Sequence, residues 1–194
     1  MENQEGKALN ITETDIKVVM TREDLENIPQ FALPAPYRAR CYQPGDEESW
    51  LKIHLEADKF TDYLSPDLFA DNFGTDPQPL AERQFYLLDQ GGAAIGTATG
   101  WSYDGYRDPS YGRIHWVAIL PEYQGQGLAK PLMTLVCNRL KALGHRRAYL
   151  DTSTVRAPAI NLYLSFGFIP EISTPDDLQV WQELAPHLKY AYRL

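Results

Sequence analysis

A short glycine-rich loop, Gln124-Gly125-Gln126-Gly127-Leu128-Ala129, lies between a run that favours a strand and a run that favours a helix. The preceding residues, 113–120, are mostly apolar with several β-branched members, which is typical of a buried strand, and Pro121 ends it. Pro131 is tolerated only in the first turn of a helix, where N–H groups lack helical partners. Free N–H groups are therefore expected around Gly125 to Lys130, where the helix dipole favours an anion.

The loop alone is also compatible with an ordinary helix start, because short glycine motifs recur by chance. The residues that follow make the anion site more specific. Apolar residues at helical spacing predict a helix that ends at Leu143, before Gly144. A second strand is predicted at residues 147–151, and a second helix at residues 157–166 runs into Gly167-Phe168.

Together these features resemble the GNAT N-acetyltransferase superfamily. The loop pattern of that family, Gln/Arg-x-x-Gly-x-Gly/Ala, is matched by Gln124, Gly127 and Ala129. A helix that ends in Leu-Tyr and is followed by Gly-Phe is matched by Leu162-Tyr163 and Gly167-Phe168. The resemblance is close over residues 113–170 and looser over residues 37–194.

The resemblance implies a fold of the α/β class (α+β mixed). Three layers are expected, with a central mixed and mostly antiparallel sheet flanked by helices. A GNAT acetyltransferase domain would occupy residues 37–194, after an N-terminal extension of residues 1–36. That extension is compatible with a tail, with an arm on the domain, or with contact to a second subunit in a homodimer.

The resemblance also implies acetyl-CoA as the acyl donor, with no metal. The strand backbone at Val117, Ala118 and Ile119 would pair with the pantetheine arm. The pyrophosphate would be held by the loop residues Gln124, Gly125, Gln126, Gly127, Leu128 and Ala129. Arg156 stands where the family often has an asparagine beside the pantetheine arm, so a charged contact would replace an amide there.

Two residues are candidates for proton transfer. The family places a tyrosine at Tyr163, close to the cofactor sulfur, and a phenol with a pKa near 10 can protonate a thiolate. His115 is the candidate base, because its alternation with Val117 and Ile119 puts all three on one face of the strand. A lone histidine on an apolar strand is equally compatible with a core residue, and Asp104, Asp108 or water are alternative bases.

The leading function is an acetyl-CoA-dependent N-acetyltransferase that modifies a small-molecule amine by direct attack in a ternary complex. One alternative acceptor is a protein or peptide N-terminus or lysine. Another alternative is a non-catalytic acyl-CoA-binding regulatory domain. A dinucleotide or nucleotide fold is disfavoured, because the sequence lacks a full Gly-x-Gly-x-x-Gly run and any Gly-Lys-Ser/Thr.

Composition limits the partners. The chain has a net charge of −8, which argues against nucleic-acid binding and is compatible with a cationic substrate or simply with solubility. No apolar run has the length of a membrane span, and the N-terminus lacks the features of a signal peptide. We therefore expect a cytoplasmic protein without a membrane partner, in which Cys41 and Cys137 are reduced.

Patterns elsewhere predict the remaining elements. Helices are expected at residues 21–28, 47–58, 65–73 and 175–187, and strands at residues 16–20, 37–42, 83–89, 93–103 and 188–194, with a loop at residues 74–79. Gly96 and Gly100 predict a bulge or a close approach within their strand. By resemblance, the acceptor pocket would draw on Phe60, Tyr63, Leu64, Phe69 and Phe73, although core packing explains aromatic residues equally well.

Overall fold

The computed structural model describes residues 10–57, 65, 67–102 and 105–192. The strands are β1 (Lys17–Arg22), β2 (Arg38–Cys41), β3 (Gln84–Leu88), β4 (Ala94–Trp101), β5 (Tyr111–Ile119), β6 (Arg147–Ser153) and β7 (Ile169–Pro170). The helices are α1 (Asp46–Ala57), α2 (Leu68–Phe73), α3 (Pro77–Arg83), α4 (Ala129–Ala142), α5 (Ala157–Ser165) and α6 (Pro175–Leu184). None of the helices in the described ranges combines the length with the apolar character that a membrane crossing requires.

The chain divides into two compact units, a larger one of Arg22–Leu150 and a smaller one formed from Met1–Thr21 together with Asp151–Leu194. In the larger unit the strands lie in the order β2-β3-β4-β5-β6. Neighbours from β2 to β5 pair antiparallel, and β5 pairs parallel with β6. In the smaller unit β1 pairs antiparallel with β7. The predicted mixed and mostly antiparallel sheet is therefore confirmed.

Helices cover both faces of the sheet in the larger unit. On one face α4 lies so close to β4 that a Cβ at Gly100 would sit 3.2 Å from Leu140 Cδ2. On the other face the Tyr86 hydroxyl donates a hydrogen bond to the main-chain oxygen of Asp46 in α1, at 3.2 Å. Tyr86 lies opposite Thr97, which faces away from the α4 side because it is three residues from Gly100. These layers confirm the predicted fold class.

The two glycines of β4 behave as predicted. Gly100 allows the close approach of α4. Next to Gly96 the register between β3 and β4 shifts, so that Leu87 lies opposite Gly96 while Leu88 lies opposite Ala94. A Cβ at Gly96 would also meet the main-chain oxygen of Ala118 at 3.1 Å. Both glycines are therefore needed where another group approaches the backbone.

The segment before β2 is packed in its described part. Residues 17–22 form β1, as the pattern at residues 16–20 predicts. Further along, the Thr134 hydroxyl in α4 donates to the Pro29 oxygen at 3.0 Å and accepts from Phe31 N at 3.2 Å. Of the three arrangements considered for the extension, these contacts favour an arm that packs on the rest of the chain.

The predicted loop at residues 74–79 is wrong, because α3 begins within it. The Asp76 carboxylate accepts a hydrogen bond from Gln78 N at 3.0 Å, and Pro77 takes the first helical position. α2 begins at Leu68 instead of Ser65, with Asp67 at its N-cap. Pro66 lies outside the described residues, as do Phe60, Tyr63 and Leu64. Prolines that suggested a loop thus stand where a helix starts.

The predicted helix at residues 21–28 is also wrong. Thr21 pairs with Ile169, so β1 continues through it. Arg22 Nε then donates to the Asp24 oxygen at 2.6 Å, and Arg22 Nη2 donates to the Asn27 oxygen at 2.9 Å. A side chain therefore occupies carbonyls that a helix would have used.

The predicted final strand at residues 188–194 is not found in its described part, residues 188–192. Lys189 N donates to Asn161 Oδ1 at 2.7 Å, and the Tyr192 hydroxyl donates to the Trp181 oxygen at 2.5 Å. This segment therefore bonds to helices of the smaller unit. Phe168 leads into the two-residue strand β7, which ends at Pro170 because proline has no N–H for a ladder bond.

Gly112→Ala should destabilise the protein by about 1–3 kcal/mol, the usual range for an overpacked core. The new Cβ would lie 2.6 Å from Leu140 Cδ2 and 2.9 Å from His145 Cδ2. Chemical denaturation measures the change in unfolding free energy. Gly91→Ala is the control, because its Cβ would meet only Asp89 Oδ1, at 3.4 Å. Equal stability of the two variants would contradict the packing described for β5 and α4.

Candidate active site

The glycine-rich loop connects β5 to α4 and is tied to the end of the strand. A 3-10 turn, Pro121–Tyr123, follows β5, and Gln124 Nε2 donates to the Ile119 oxygen at 2.8 Å. Gly125 and Gly127 have φ angles of 75° and 79°, which glycine adopts without steric cost. A Cβ at either glycine would have no heavy atom within 4 Å, so the space beside them is open.

The main-chain N–H groups from Gly125 to Lys130 make no hydrogen bond to any described residue. The first bond at this end of α4 runs from Leu132 N to the Leu128 oxygen, at 3.2 Å. This run of free donors agrees with the prediction from Pro131, which lies in the first turn. The positive end of the helix dipole adds to their attraction for an anion.

β5 is paired with β6 over only part of its length. The last pair joins Arg113 and Tyr149, and β5 residues from Ile114 onwards have no partner on β6 among the described pairs. Trp116, Val117 and Ala118 are only half-buried in this region. The edge of β5 that faces β6 is therefore open for an added strand-like ligand over these residues.

On its other side β5 carries a bulge. Ala118 lies opposite Thr97 and His115 lies opposite Thr99, so two residues of β5 face a single residue of β4. Trp116, one of the two, has a φ of 51°, in the left-handed region that bulky residues rarely enter. The ladder is disrupted at a bulge, so main-chain donors are displaced from β4 close to where β5 also separates from β6.

The bulge overturns one prediction about His115. The pattern put His115 on the same face as Val117 and Ile119. In the structure His115 lies opposite Thr99 and Ile119 lies opposite Gly96, and these two β4 residues are three apart and face opposite ways. The inserted residue therefore reverses the faces beyond it, and His115 and Ile119 are on opposite faces.

His115 and Trp116 of β5 pack against aromatic side chains from α1 and α2. The ring of His115 lies 5.6 Å from that of Phe73. The indole of Trp116 packs edge-on against Trp50 at 5.0 Å and His54 at 4.9 Å between ring centroids. Trp50 is fully buried and His115 is 9% exposed, whereas Trp116 is half-buried. We call these five residues the aromatic cluster.

A second contact of Trp116 has no counterpart in the sequence-based predictions. Its indole Nε1 donates to Asn72 Oδ1 at 3.0 Å, and Asn72 Nδ2 donates to the Leu68 oxygen at 2.8 Å. Asn72 lies next to Phe73 in α2. The sequence signals neither this contact nor the bulge, because both depend on which residues meet across the fold.

Tyr163 lies in α5 of the smaller unit and is 6% exposed. Burial raises the pKa of its phenol from 10.0 to about 12, while the charge of Arg156 lowers it and that of Asp151 raises it. Its ring lies 6.3 Å from that of Phe168, so the two aromatic residues of the Leu-Tyr and Gly-Phe motif contact each other. The phenol therefore carries its proton at neutral pH. Arg156 occupies the N-cap position of α5.

The Cys137 thiol differs from a nucleophilic cysteine. Cys41 and Cys137 are both free of disulfides. Burial in α4 raises the pKa of the Cys137 thiol to about 12, so it stays protonated. A reactive cysteine needs the opposite shift, towards a thiolate. Cys137 therefore serves the core.

The sequence matches the family described as "Acetyltransferase (GNAT) family" over residues 41–168. Among curated relatives, mycothiol acetyltransferase of Pseudarthrobacter chlorophenolicus is 30% identical over 158 residues, which cover 78% of this chain and 48% of that protein. Probable N-acetyltransferase family 8 member 5 of Mus musculus is 29% identical over 119 residues, which cover 59% of this chain and 51% of that protein. The chain thus spans about half the length of these relatives.

Solved structures agree in fold. A GCN5-related N-acetyltransferase from Sphaerobacter thermophilus has a TM-score of 0.65 at 21% identity, over 80% of this chain and 48% of that chain. The ribosomal-protein-S18-alanine N-acetyltransferase from Escherichia coli has a TM-score of 0.56 at 25% identity, over 71% of this chain and 79% of that chain. Because the family match extends over most of the sequence, the chain belongs to the Acetyltransferase (GNAT) family.

Proposed function

We propose that this chain transfers an acetyl group from acetyl-CoA to an amine, which attacks the thioester directly in a ternary complex. The observation that carries the proposal is the pair of nearby regions with open main-chain groups, one at the free edge of β5 and one at the start of α4. Acetyl-CoA offers matching acceptors, because a diphosphate suits the loop and the amides of the pantetheine arm suit a strand edge.

In this proposal the donor lies along β5 and the loop. Val117, Ala118 and Ile119 would pair through their backbone with the pantetheine arm, and Arg156 would lie beside that arm. The pyrophosphate would accept hydrogen bonds from the loop between Gln124 and Ala129. The net charge of −8 gives no general attraction for a phosphate ligand, so these local donors would supply the binding.

The chemistry needs a base and an acid. An alkylammonium with a pKa near 10 must lose a proton before it attacks, and His115 would accept that proton directly or through water. The new C–N bond forms as the C–S bond breaks, and Tyr163 would protonate the departing sulfur. Burial raises the pKa of the Tyr163 phenol, and a thiolate that formed in the same buried surroundings would be a stronger base than in water, which would favour the proton transfer. A main-chain N–H at the bulge would stabilise the oxyanion.

The acceptor is proposed to be a small-molecule amine. Relatives named mycothiol acetyltransferase support a small acceptor, and the half-buried Trp101 and Trp116 offer aromatic faces that attract an ammonium group. The Escherichia coli relative named for an alanine of ribosomal protein S18 supports a protein N-terminus as the second candidate. To distinguish these two acceptors, the protein is incubated with acetyl-CoA and a panel of amines and peptides. The release of free thiol then measures acetyl transfer to each of them. Binding without turnover on any acceptor would favour a non-catalytic acyl-CoA-binding domain.

Gly127→Val should weaken CoA binding by about tenfold or more, which corresponds to about 1.4 kcal/mol. The side chain would fill the open space beside the loop and disfavour the positive φ that aims its N–H groups. Isothermal titration calorimetry with CoA measures the change. Gly45→Val is the control, because Gly45 also has a positive φ and open surroundings. An absence of heat with the folded wild-type protein would refute the donor site.

Tyr163→Phe should lower kcat by about 10–1000-fold, which overlaps the lower part of the general scale of acid–base catalysis, with little change in CoA affinity. The substitution removes only the hydroxyl and leaves the packing against Phe168 in place. Steady-state kinetics and calorimetry measure the two quantities. Tyr42→Phe is a control tyrosine, because its hydroxyl bonds to Glu47 at the start of α1. An unchanged kcat would remove Tyr163 from the mechanism.

His115→Gln should remove the acidic limb of the pH–rate profile, because protonated imidazole cannot accept a proton from the amine. Glutamine keeps hydrogen-bonding capacity without titrating in this range. Among the alternative bases, hydrogen bonds from Ser110 lower the pKa of Asp108 and make it a weaker base, and Asp104 lies outside the described residues. A profile that keeps its acidic limb in the variant would show that His115 is structural.

A further inference from the structure

The backbone of Trp116 is strained and must be held by its surroundings. Its φ of 51° places a large aromatic residue in the left-handed region, at a cost of about 1–3 kcal/mol. Glycine or asparagine adopts this conformation far more easily. The presence of tryptophan at the bulge therefore points to a use for its side chain.

The indole of Trp116 is fixed on two sides. Its Nε1 donates to Asn72 Oδ1 at 3.0 Å, and its ring packs edge-on against Trp50 and His54 of α1. Asn72 is itself oriented by the bond from its Nδ2 to the Leu68 oxygen within α2. The hydrogen bond sets the rotation of the indole in a way that apolar packing alone does not, because it requires one direction of approach.

The orientation of this indole bears on the open donors of β5. Rotation of the side chain is coupled to the backbone through the Cα of Trp116, and that backbone forms the bulge. A donor that stabilises an oxyanion must lie about 2.7–3.1 Å from the oxygen, so a small shift of the bulge removes its effect. The hydrogen bond from Trp116 to Asn72 of α2 can therefore control the position of a main-chain N–H at the bulge of β5.

We propose that Asn72 is a positioning residue that sets the bulge through the indole of Trp116 and thereby tunes polarisation of the thioester carbonyl. The inference rests on the proposed function and deepens it, because it assigns α2 a part in activating the donor. Asn72 touches neither reacting atom in this account, and it acts only through Trp116. The proposal predicts that loss of the hydrogen bond between Asn72 and Trp116 changes the polarisation of the bound thioester carbonyl. The affinity of the loop for CoA should not change.

The test needs no acceptor. The probe is acetyl-CoA labelled with carbon-13 at the thioester carbonyl, and isotope-edited infrared spectroscopy measures its stretching frequency when bound to the full chain. Binding to the wild-type protein should shift the band to lower frequency, because a hydrogen bond weakens the C=O bond. Asn72→Leu should lose most of that shift, while the Kd for unacylated CoA stays within about twofold of the wild-type value. An undiminished shift in Asn72→Leu overturns the inference.

Three further variants separate positioning from general damage. Asn72→Asp keeps an oxygen that accepts from the indole but loses the donor to Leu68, so it should keep more of the shift than Asn72→Leu does. Asn138→Leu removes an asparagine of α4 that bonds to Gln30, away from the bulge, and should also keep it. Trp116→Phe removes the indole donor and should lose the shift. If the shift survives in Trp116→Phe, the inference is overturned even where Asn72→Leu does not fold.

A double-mutant cycle shows whether the two residues act as one. In the Trp116→Phe background, Asn72→Leu should cause no further loss of the carbonyl shift, because the bond is already absent. Independent losses that add would overturn the inference. Absence of CoA binding by the folded wild-type protein would instead refute the proposed function, whereas normal CoA binding with an unaltered shift in every variant would refute only the role of Asn72.

Discussion

Main-chain hydrogen bonding is the constraint on which the larger unit depends. Backbone N–H and C=O groups must find partners when they leave water, and most of the strands satisfy this in their ladders. β5 does so with β6 only at its first three residues, Tyr111 to Arg113, and it then departs from β4 at the bulge as well. The strand continues into a loop whose amides from Gly125 to Lys130 are also open. Two neighbouring segments of the described chain thus carry main-chain donors that the ladders leave unused.

The partial pairing of β5 with β6 leaves an edge to which a ligand can bind. A sheet with β5 fully paired to β6 would be better bonded internally, but it would present no edge to a ligand. Half-burial of residues 116–118 lets water satisfy the open groups in the absence of a ligand. The cost of an open edge is therefore modest, and a ligand with strand-like amides recovers the missing bonds without deforming the protein.

Local signals account for what the sequence predicts well. Glycines at positive φ, a proline in the first helical turn and a buried strand act within a few residues of one another, so they specify the loop between Pro121 and Pro131. The same logic failed at α3, where Asp76 and Pro77 begin a helix although the surrounding prolines suggested a loop. The face of His115 was mispredicted for a different reason. Alternation holds only in a regular ladder, and the bulge is a property of β4 and β5 together.

The donor site proposed for this chain is made of backbone groups, whereas the clusters around it are made of side chains, and the two differ in how well a sequence predicts them. The proposed donor site uses N–H groups, which every residue except proline supplies, so the glycines together with the strand before them and the helix after them are enough to predict it. The aromatic cluster and Asn72 are instead assembled from particular side chains of different elements, and no local sequence pattern predicts that they meet. Proteins similar to this chain carry names as different as mycothiol acetyltransferase and ribosomal-protein-S18-alanine N-acetyltransferase. Under the proposed function, acceptor specificity would therefore depend on the side chains of α1, α2 and the bulge, whereas acyl-donor binding would depend on the path of the backbone.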